Sequence, residues 1–158
     1  MTLSNFERLI QLADEVFSVK NDPDQLDVNQ EIIEHLQRIH PDTVSEYEEG
    51  NGPLAWVLLI PTTELLMNRF LKKEICEKEL FSLTPIGVSY EAIYLCSALI
   101  LEEYRRKGIV KNLTRHAIDQ IQKEHPIKCL FVWAFSKEGE ACAEDLSQNL
   151  SLPLYKRQ

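Results

Sequence analysis

Apolar residues recur at helical spacing in two segments near the start of the chain. In the first, residues 4–19, the pair Ser4 and Glu7 forms a capping-box pattern ahead of apolar positions that repeat every three or four residues. The second segment ends at Pro41, and its apolar face consists of Ile32, Ile33, Leu36 and Ile39. These two patterns predict two amphipathic helices.

The middle of the chain contains two continuous apolar runs, which are typical of strands buried on both faces. The first, "LAWVLLI", follows a polar stretch, "EYEEGNGP", that reads as a loop. The second covers Glu91 to Leu101, "EAIYLCSALIL". Between the two runs, "TTELLMNRFLKKE" and "EKELFSL" have helical spacing, so we expect two helices there.

Strand and helix patterns alternate after Leu101. A helix is predicted from Ile109 to Lys123, a strand over "KCLFVWAF", a helix over "SKEGEACAEDLSQNL" capped by Ser136, and a short strand or tail over "LPLYKRQ". Two strands joined through a helix are expected to lie parallel with a right-handed crossover. Ligands of such units usually bind beyond the carboxyl ends of the strands.

Length and composition narrow the class of protein. A chain of 158 residues predicts a single domain, 1–158, with one core. The formal charge, 17 − 25 = −8, disfavours nucleic acid as a partner. The sequence has neither a signal-peptide pattern nor a long apolar run, so we expect a cytoplasmic protein without a membrane segment. Four widely spaced cysteines predict reduced, mostly buried thiols.

A basic cluster stands where the second apolar strand gives way to a helix, in "EEYRRKGIVKNL". Three consecutive cations, Arg105, Arg106 and Lys107, precede Gly108 and the predicted helix start. Free N–H groups at a helix start bind anions, and glycine lets the backbone approach a phosphate closely. The cluster therefore predicts a phosphate site. The alternative is a solvated basic turn that balances Glu102 and Glu103.

This segment resembles the acyl-CoA-binding motif of the GNAT N-acetyltransferase superfamily. The family pattern is Gln or Arg, two variable residues, Gly, one variable residue, then Gly or Ala; here Arg105 to Val110 fill those places, with Val110 at the last one. The resemblance implies an α+β fold: a mixed central β-sheet with helices on both faces and two splayed parallel strands. It also implies transfer of an acetyl group from acetyl-CoA to a primary amine by direct attack.

In relatives, the main chain of this turn holds the coenzyme A pyrophosphate, and the preceding strand holds the pantetheine arm and the acyl carbonyl. The resemblance thus implies acetyl-CoA as co-substrate, and an amine substrate that is a small molecule or a protein. The implied coenzyme-binding residues are Leu99, Ile100, Leu101, Arg105, Arg106, Lys107, Gly108, Ile109 and Val110.

The catalytic groups implied by the resemblance are less complete. Relatives often use a Glu as base, and Glu102 and Glu103 are the acidic residues beside the motif. Relatives often use a Tyr on the last helix as acid, but Ser147 occupies the aligned place here. This departure favours an alternative: a catalytically weak or inactive acyl-CoA-binding or protein-interaction module with the same fold. The short chain after Leu152 leaves a sheet edge that a second copy would cover as a homodimer.

The four histidines do not form a recognisable metal motif in the sequence. His35 and His40 are five residues apart, which does not place them on one helical face. His116 and His125 have no acidic partner at a spacing typical of metal ligands. The sequence therefore implies no metal.

Overall fold

The computed structural model describes residues 30–48, 52–104, 107–133 and 137–157. The helix predicted at residues 4–19 lies outside these ranges, as do Arg105, Arg106 and the predicted cap Ser136. The described elements, in chain order, are α1 (Gln30–Ile39), β1 (Val44–Glu48), β2 (Pro53–Thr62), α2 (Glu64–Leu71), α3 (Glu77–Leu83), β3 (Ala92–Ile100), α4 (Ile109–Glu124), β4 (Cys129–Val132), α5 (Lys137–Leu150) and β5 (Leu154–Lys156). Short 3₁₀ turns occupy Pro41–Thr43 and Glu102–Tyr104.

The described strands form one mixed sheet in the order β1-β2-β3-β4-β5. The first three strands are antiparallel neighbours, whereas β3, β4 and β5 run parallel. The α+β class and the parallel pairing of the two strands joined by α4 are confirmed. The short final segment is a strand, because β5 pairs with β4 from Leu154 to Lys156.

The two faces of the sheet are covered by different helices. Side chains of α1, α2 and α3 pack with Leu58, Ile60, Tyr94 and Phe131 on one face. On the other face, Ala117, Ile118 and Ile121 of α4 pack with alternate residues of β2, β3 and β4. Because both faces of β2 are covered, nearly all of its side chains are buried, which explains its continuous apolar sequence. The predicted covering of both faces is confirmed.

The prediction that "EYEEGNGP" forms a loop is wrong in part. Residues Val44–Glu48 form β1, which pairs antiparallel with β2 at the edge of the sheet. An edge strand needs only one covered face and tolerates charge, so Glu46 and Glu48 do not prevent strand formation. The strand predicted over "KCLFVWAF" is shorter than expected and comprises Cys129–Val132.

The helices were compared with the requirements for a membrane span. Among the described helices, none combines the length and the apolar composition that such a span requires.

The four cysteines form no disulfide. Cys129 is buried and the other three are half-buried. Burial raises the pKa values of the Cys129 and Cys142 thiols, so both resist ionisation.

Two helices end on a non-glycine residue in the left-handed conformation. Ser151, with φ of 55°, follows α5, and Lys73, with φ of 64°, follows α2. In both cases the N–H of this residue and the N–H of the residue after it donate to carbonyls of the last helical turn, which is a Schellman motif. Such a conformation costs an L-residue about 1–2 kcal/mol, a cost that glycine avoids.

We therefore expect Ser151→Gly and Lys73→Gly each to raise the free energy of unfolding by about 0.5–1 kcal/mol, after allowing for the greater entropy of glycine in the unfolded chain. Urea unfolding with an unchanged m-value measures the effect. The matched control is Lys72→Gly, because Lys72 has φ of −83° and gains nothing from glycine. Equal effects at positions 72 and 73 would contradict the explanation.

Candidate functional site

The parallel β3–β4 ladder is short. It covers three residue pairs and, among the described residues, ends where Tyr94 lies opposite Phe131. Beyond that point β3 continues alongside β2, while β4 ends at Val132, opposite Lys156 of β5. The carboxyl-terminal part of β3 thus leaves β4 and follows the antiparallel half of the sheet.

The backbone direction in this part of β3 follows from one hydrogen bond. The N–H of Leu101 donates to the carbonyl of Leu54 on β2 at 3.0 Å. Residue pairs of an antiparallel ladder alternate between those that exchange hydrogen bonds and those that do not. The N–H and C=O groups of Ile100 and Ala98 therefore point away from β2, toward the side where β4 has ended. We call these backbone groups of Ala98 and Ile100, which pair with no strand among the described residues, the open β3 edge.

A β-bulge precedes the open β3 edge. Leu58 of β2 lies opposite Ser97, but the next residue, Leu59, lies opposite Leu95, so Cys96 is the extra residue on β3. A bulge increases the local twist and bends the strand that contains it. The bulge lies two residues beyond Tyr94, close to the end of the β3–β4 ladder, and contributes to the divergence of the two strands.

The chain turns sharply between β3 and α4. The 3₁₀ turn Glu102–Tyr104 leads to Lys107, whose exposed Nζ lies 5.3 Å from the centre of the Tyr104 ring. Gly108 is the N-cap of α4 and has φ of 75°, in the left-handed region. Among the residues that the structure describes, a Cβ at Gly108 would meet only Asn112 Nδ2, at 3.8 Å, so glycine is favoured there by its backbone conformation and not by crowding against them.

The first turn of α4 has the electrostatics of an anion site. The N–H groups of its first residues have no acceptor within the helix, and the first turn contains no acidic residue. The side chains of Ile109 and Val110 pack inward against the core, so Val110 fills space beside β3. Lys111 extends toward α5 and pairs with Asp145 at 3.6 Å. The backbone N–H groups of this turn are therefore its main polar surface.

The predicted coenzyme-binding residues fall into two groups. The side chains of Leu99 and Leu101 are buried with Leu54 and Ala55, whereas Ile100 contributes to the open β3 edge. Lys107, Gly108, Ile109 and Val110 follow one another around the turn. The described members of the predicted set therefore lie on both sides of Arg105 and Arg106, at the carboxyl end of β3 and the start of α4.

The predicted catalytic residues are not all close together in the fold. The exposed Glu103 and the backbone of Glu102 lie in the 3₁₀ turn between β3 and α4. Ser147 lies in the last turn of α5, where its hydroxyl donates to the carbonyl of Leu152. Because that turn leads into the start of β5, Ser147 lies toward the opposite end of the parallel strands.

A buried acid that sequence reasoning missed lies beside the end of the β3–β4 ladder. The hydroxyl of Tyr94 donates to Oε2 of Glu77 at 2.5 Å, and both side chains are buried. Glu77 is the first residue of α3, which packs over β3. The acidic first turn of α3 was visible in the sequence, but nothing in the sequence placed this carboxylate against Tyr94.

An arginine completes this cluster from the end of the chain. The Arg157 guanidinium lies 4.5 Å from the centre of the Phe70 ring and 4.6 Å from that of Trp133. Its positive charge acts to lower the pKa of Tyr94, against the larger effects of burial and Glu77. Its Nη1 atom is buried with no hydrogen-bond partner among the described residues. Glu77, Tyr94 and Arg157 therefore form a polar group in otherwise apolar surroundings, next to the point where β3 and β4 part.

The raised pKa of Tyr94 predicts a loss of stability at alkaline pH. Burial, and next the Glu77 carboxylate, raise its pKa well above the ordinary value of 10.0. At a pH above the ordinary value of 10.0, Tyr94 loses its phenolic proton in the unfolded state but keeps it in the folded state. The unfolded state then binds fewer protons, so the free energy of unfolding falls as pH rises.

We expect urea unfolding between about pH 8 and about pH 11 to show this fall, and to show a shallower one for Tyr94→Phe. The control is Tyr155→Phe, because Tyr155 is exposed and has none of these contacts. Parallel alkaline profiles for the wild type and Tyr94→Phe would contradict the assignment.

Comparisons with known proteins do not identify a family. No protein-family model matches the chain, and no curated protein matches it significantly. The class of protein defined by the structure is an α+β domain with a mixed sheet, a short parallel ladder and a basic, glycine-capped turn at the carboxyl end of the central strand.

Proposed function

We propose that the protein is an acetyl-CoA-dependent N-acetyltransferase of the GNAT superfamily. In this proposal, the coenzyme lies along the open β3 edge, and its pyrophosphate lies against the N–H groups at the start of α4. The observation that supports the proposal most strongly is that the two surfaces follow one another closely along the chain, at the carboxyl end of β3. The open β3 edge ends one residue before Leu101, and the Gly108 turn begins within the next few residues.

Each part of the proposed coenzyme site has a physical role. The pantetheine arm carries amide groups, which pair with the N–H and C=O groups of Ala98 and Ile100 as an added strand would. The pyrophosphate is anionic and suits a helix start without acidic residues. Lys107 adds one exposed positive charge, and Arg105 and Arg106 are assigned to the same role from the motif alone.

The proposed reaction is direct attack of a neutral primary amine on the thioester carbonyl. The amine forms a bond to the acyl carbon, the tetrahedral intermediate collapses, and coenzyme A leaves as a thiolate that takes up a proton. Glu102 or Glu103 positions or deprotonates the amine. Glu77 is an additional candidate base, because its buried carboxylate lies beside the divergence of β3 and β4.

The second candidate function is an acyl-CoA-binding module with little or no transferase activity. One observation favours it: the Ser147 hydroxyl, at the place of the family's acid, donates to the Leu152 carbonyl. That hydroxyl is engaged in closing the turn after α5. Association of two copies through the β5 edge remains a prediction for either function.

Thermal unfolding with and without acetyl-CoA tests the proposal, with ATP as the control for polyanion binding. At 100 times the dissociation constant, a ligand of the native state adds about 2.7 kcal/mol, which raises the midpoint by about 5–10 °C in a domain of this size. A shift with acetyl-CoA and none with ATP supports a coenzyme site. Release of free coenzyme A thiol in an amine screen then distinguishes the transferase from the binding module. The absence of any shift would overturn both.

A further inference from the structure

Two segments that are far apart in the sequence bring three side chains together at the opposite end of α4. His40 follows α1, Glu124 is the last residue of α4, and His125 comes next. One nitrogen of each histidine and one oxygen of Glu124 all lie within 4.8 Å of one another. His40 Nε2 lies 2.8 Å from Glu124 Oε2, and the two imidazole rings are 5.8 Å apart.

We propose that His40, Glu124 and His125 form a binding site for a transition-metal ion of the Zn²⁺ type. Two imidazole nitrogens and one carboxylate oxygen form a ligand set that zinc uses in sites with an open fourth position. Two ligand atoms of one tetrahedral zinc ion are about 3.4 Å apart, given bond lengths of about 2.0–2.2 Å. The longest distance within the cluster therefore has to close by about 1.4 Å or less, whereas His40 Nε2 and Glu124 Oε2, 2.8 Å apart, have to separate by about 0.6 Å. Glu124, with a side chain 63% exposed, has room to move.

The backbone around the cluster also favours a cation. Both α1 and α4 end at this point, since the N–H of His40 donates to Leu36 and that of His125 to Ile121. The carboxyl ends of helices carry partial negative charge. The Asp42 carboxylate adds a formal negative charge 3.6 Å from His40 Nδ1. Two helix ends and the carboxylates of Asp42 and Glu124 would therefore attract a cation bound in the cluster.

The hydrogen bonds of His40 indicate which of its ring nitrogens carries the proton in the neutral ring. The N–H of Asp42 donates to His40 Nδ1, so in the neutral ring the proton is on Nε2 and is donated to Glu124. When Nε2 binds the metal, this proton moves to Nδ1 and the bond from the Asp42 N–H to that atom is lost. Asp42 Oδ2, which lies 3.6 Å from Nδ1, then has to approach by about 0.6 Å to accept the proton. A carboxylate that orients a metal-bound histidine in this way is common at zinc sites.

The ring of His125 is only weakly held by its present hydrogen bond. Its Nδ1 accepts a long bond of 3.4 Å from the N–H of Tyr90, so little is lost when the ring turns toward a metal ion.

A cavity beside the cluster leaves space for a fourth ligand. It has a volume of about 430 Å³, and its walls include the loop Ile86–Ser89, Tyr90 and the ends of α1 and α4. Water or a small anionic ligand fits the open position of such a site. The site is also remote from the proposed coenzyme turn, because the 16 residues of α4 separate Gly108 from Glu124 by about 24 Å.

The test is titration of the reduced full chain with Zn²⁺, followed by calorimetry. We expect one equivalent to bind with a dissociation constant of about 1 μM or tighter. Glu124→Gln and His125→Gln should each weaken binding by about 100-fold or more. His116→Gln is the matched control, since His116 is an exposed histidine of α4 and should leave the affinity unchanged.

Glu124→Gln keeps the shape of an exposed side chain, so it tests the site even if His40 variants fail to fold. Co²⁺ provides a second readout: nitrogen and oxygen ligands give d–d bands of a tetrahedral ion without the thiolate charge-transfer band. Zinc affinity that is unchanged in Glu124→Gln and His125→Gln would overturn the proposal, as would a thiolate band or the lack of any binding at one equivalent.

Discussion

Phe70→Ala is expected to lower the free energy of unfolding by about 3–5 kcal/mol, the usual cost of emptying a buried aromatic site. Phe70 is fully buried on α2, and its ring centre lies 5.0 Å from that of Tyr94, 5.8 Å from that of Phe131 and 6.3 Å from that of Trp133. It also supports the Arg157 guanidinium. The substitution therefore removes a central contact of the face covered by α1, α2 and α3.

Urea unfolding measures this loss, with Leu65→Ala as the matched control on the same helix. The Leu65 side chain is 70% exposed, so its truncation should change the free energy of unfolding by less than about 0.5 kcal/mol. A loss below about 2 kcal/mol for Phe70→Ala would mean that this face of the sheet is not packed as described.

Gly108→Asn is expected to weaken acetyl-CoA binding by about 10–100-fold while leaving the fold intact. Asparagine tolerates the left-handed conformation of Gly108, and its Cβ has space within the protein. In the proposed complex, however, that Cβ stands where the pyrophosphate approaches the backbone. Losing one charge-assisted hydrogen bond, worth about 1.5–3 kcal/mol, accounts for the expected change.

Gly87→Asn is the control for this experiment. Gly87 also has a positive φ, 84°, and a Cβ there would meet nothing within 4 Å, so the two substitutions impose the same backbone cost. Gly87 lies in the loop beside the His40 cavity, remote from the turn. Calorimetric titration with acetyl-CoA measures both variants. Equal affinities for Gly108→Asn, Gly87→Asn and the wild type would exclude the Gly108 turn as the pyrophosphate site.

Much of the fold was predictable because the buried elements have strong periodic patterns. The runs that became β2 and β3 are continuous and apolar because helices cover both faces of the sheet. The helices α1 and α4 were visible from apolar residues at helical spacing. In contrast, β1 was not predicted, because Val44–Glu48 lies at the sheet edge and carries charges that a buried strand would exclude.

The candidate sites show the limit of sequence patterns more sharply. The Gly108 turn is local, so a few adjacent residues were enough to predict it. Tyr94 and Glu77 are 17 residues apart and meet only because α3 packs over β3. His40 and Glu124 are 84 residues apart, and their contact depends on the ends of α1 and α4 meeting. No periodicity in the sequence encodes such a meeting of elements.

The most direct test of the account is amide hydrogen exchange of the protein with and without acetyl-CoA. The N–H groups of Ala98 and Ile100 point away from β2, so we expect them to exchange readily in the free protein. Bound coenzyme should slow exchange at Ala98, at Ile100 and in the first turn of α4, and leave the cavity residues Ser89 and His125 unchanged. Protection at the cavity instead, or none along β3 at saturating acetyl-CoA, would contradict the proposed site.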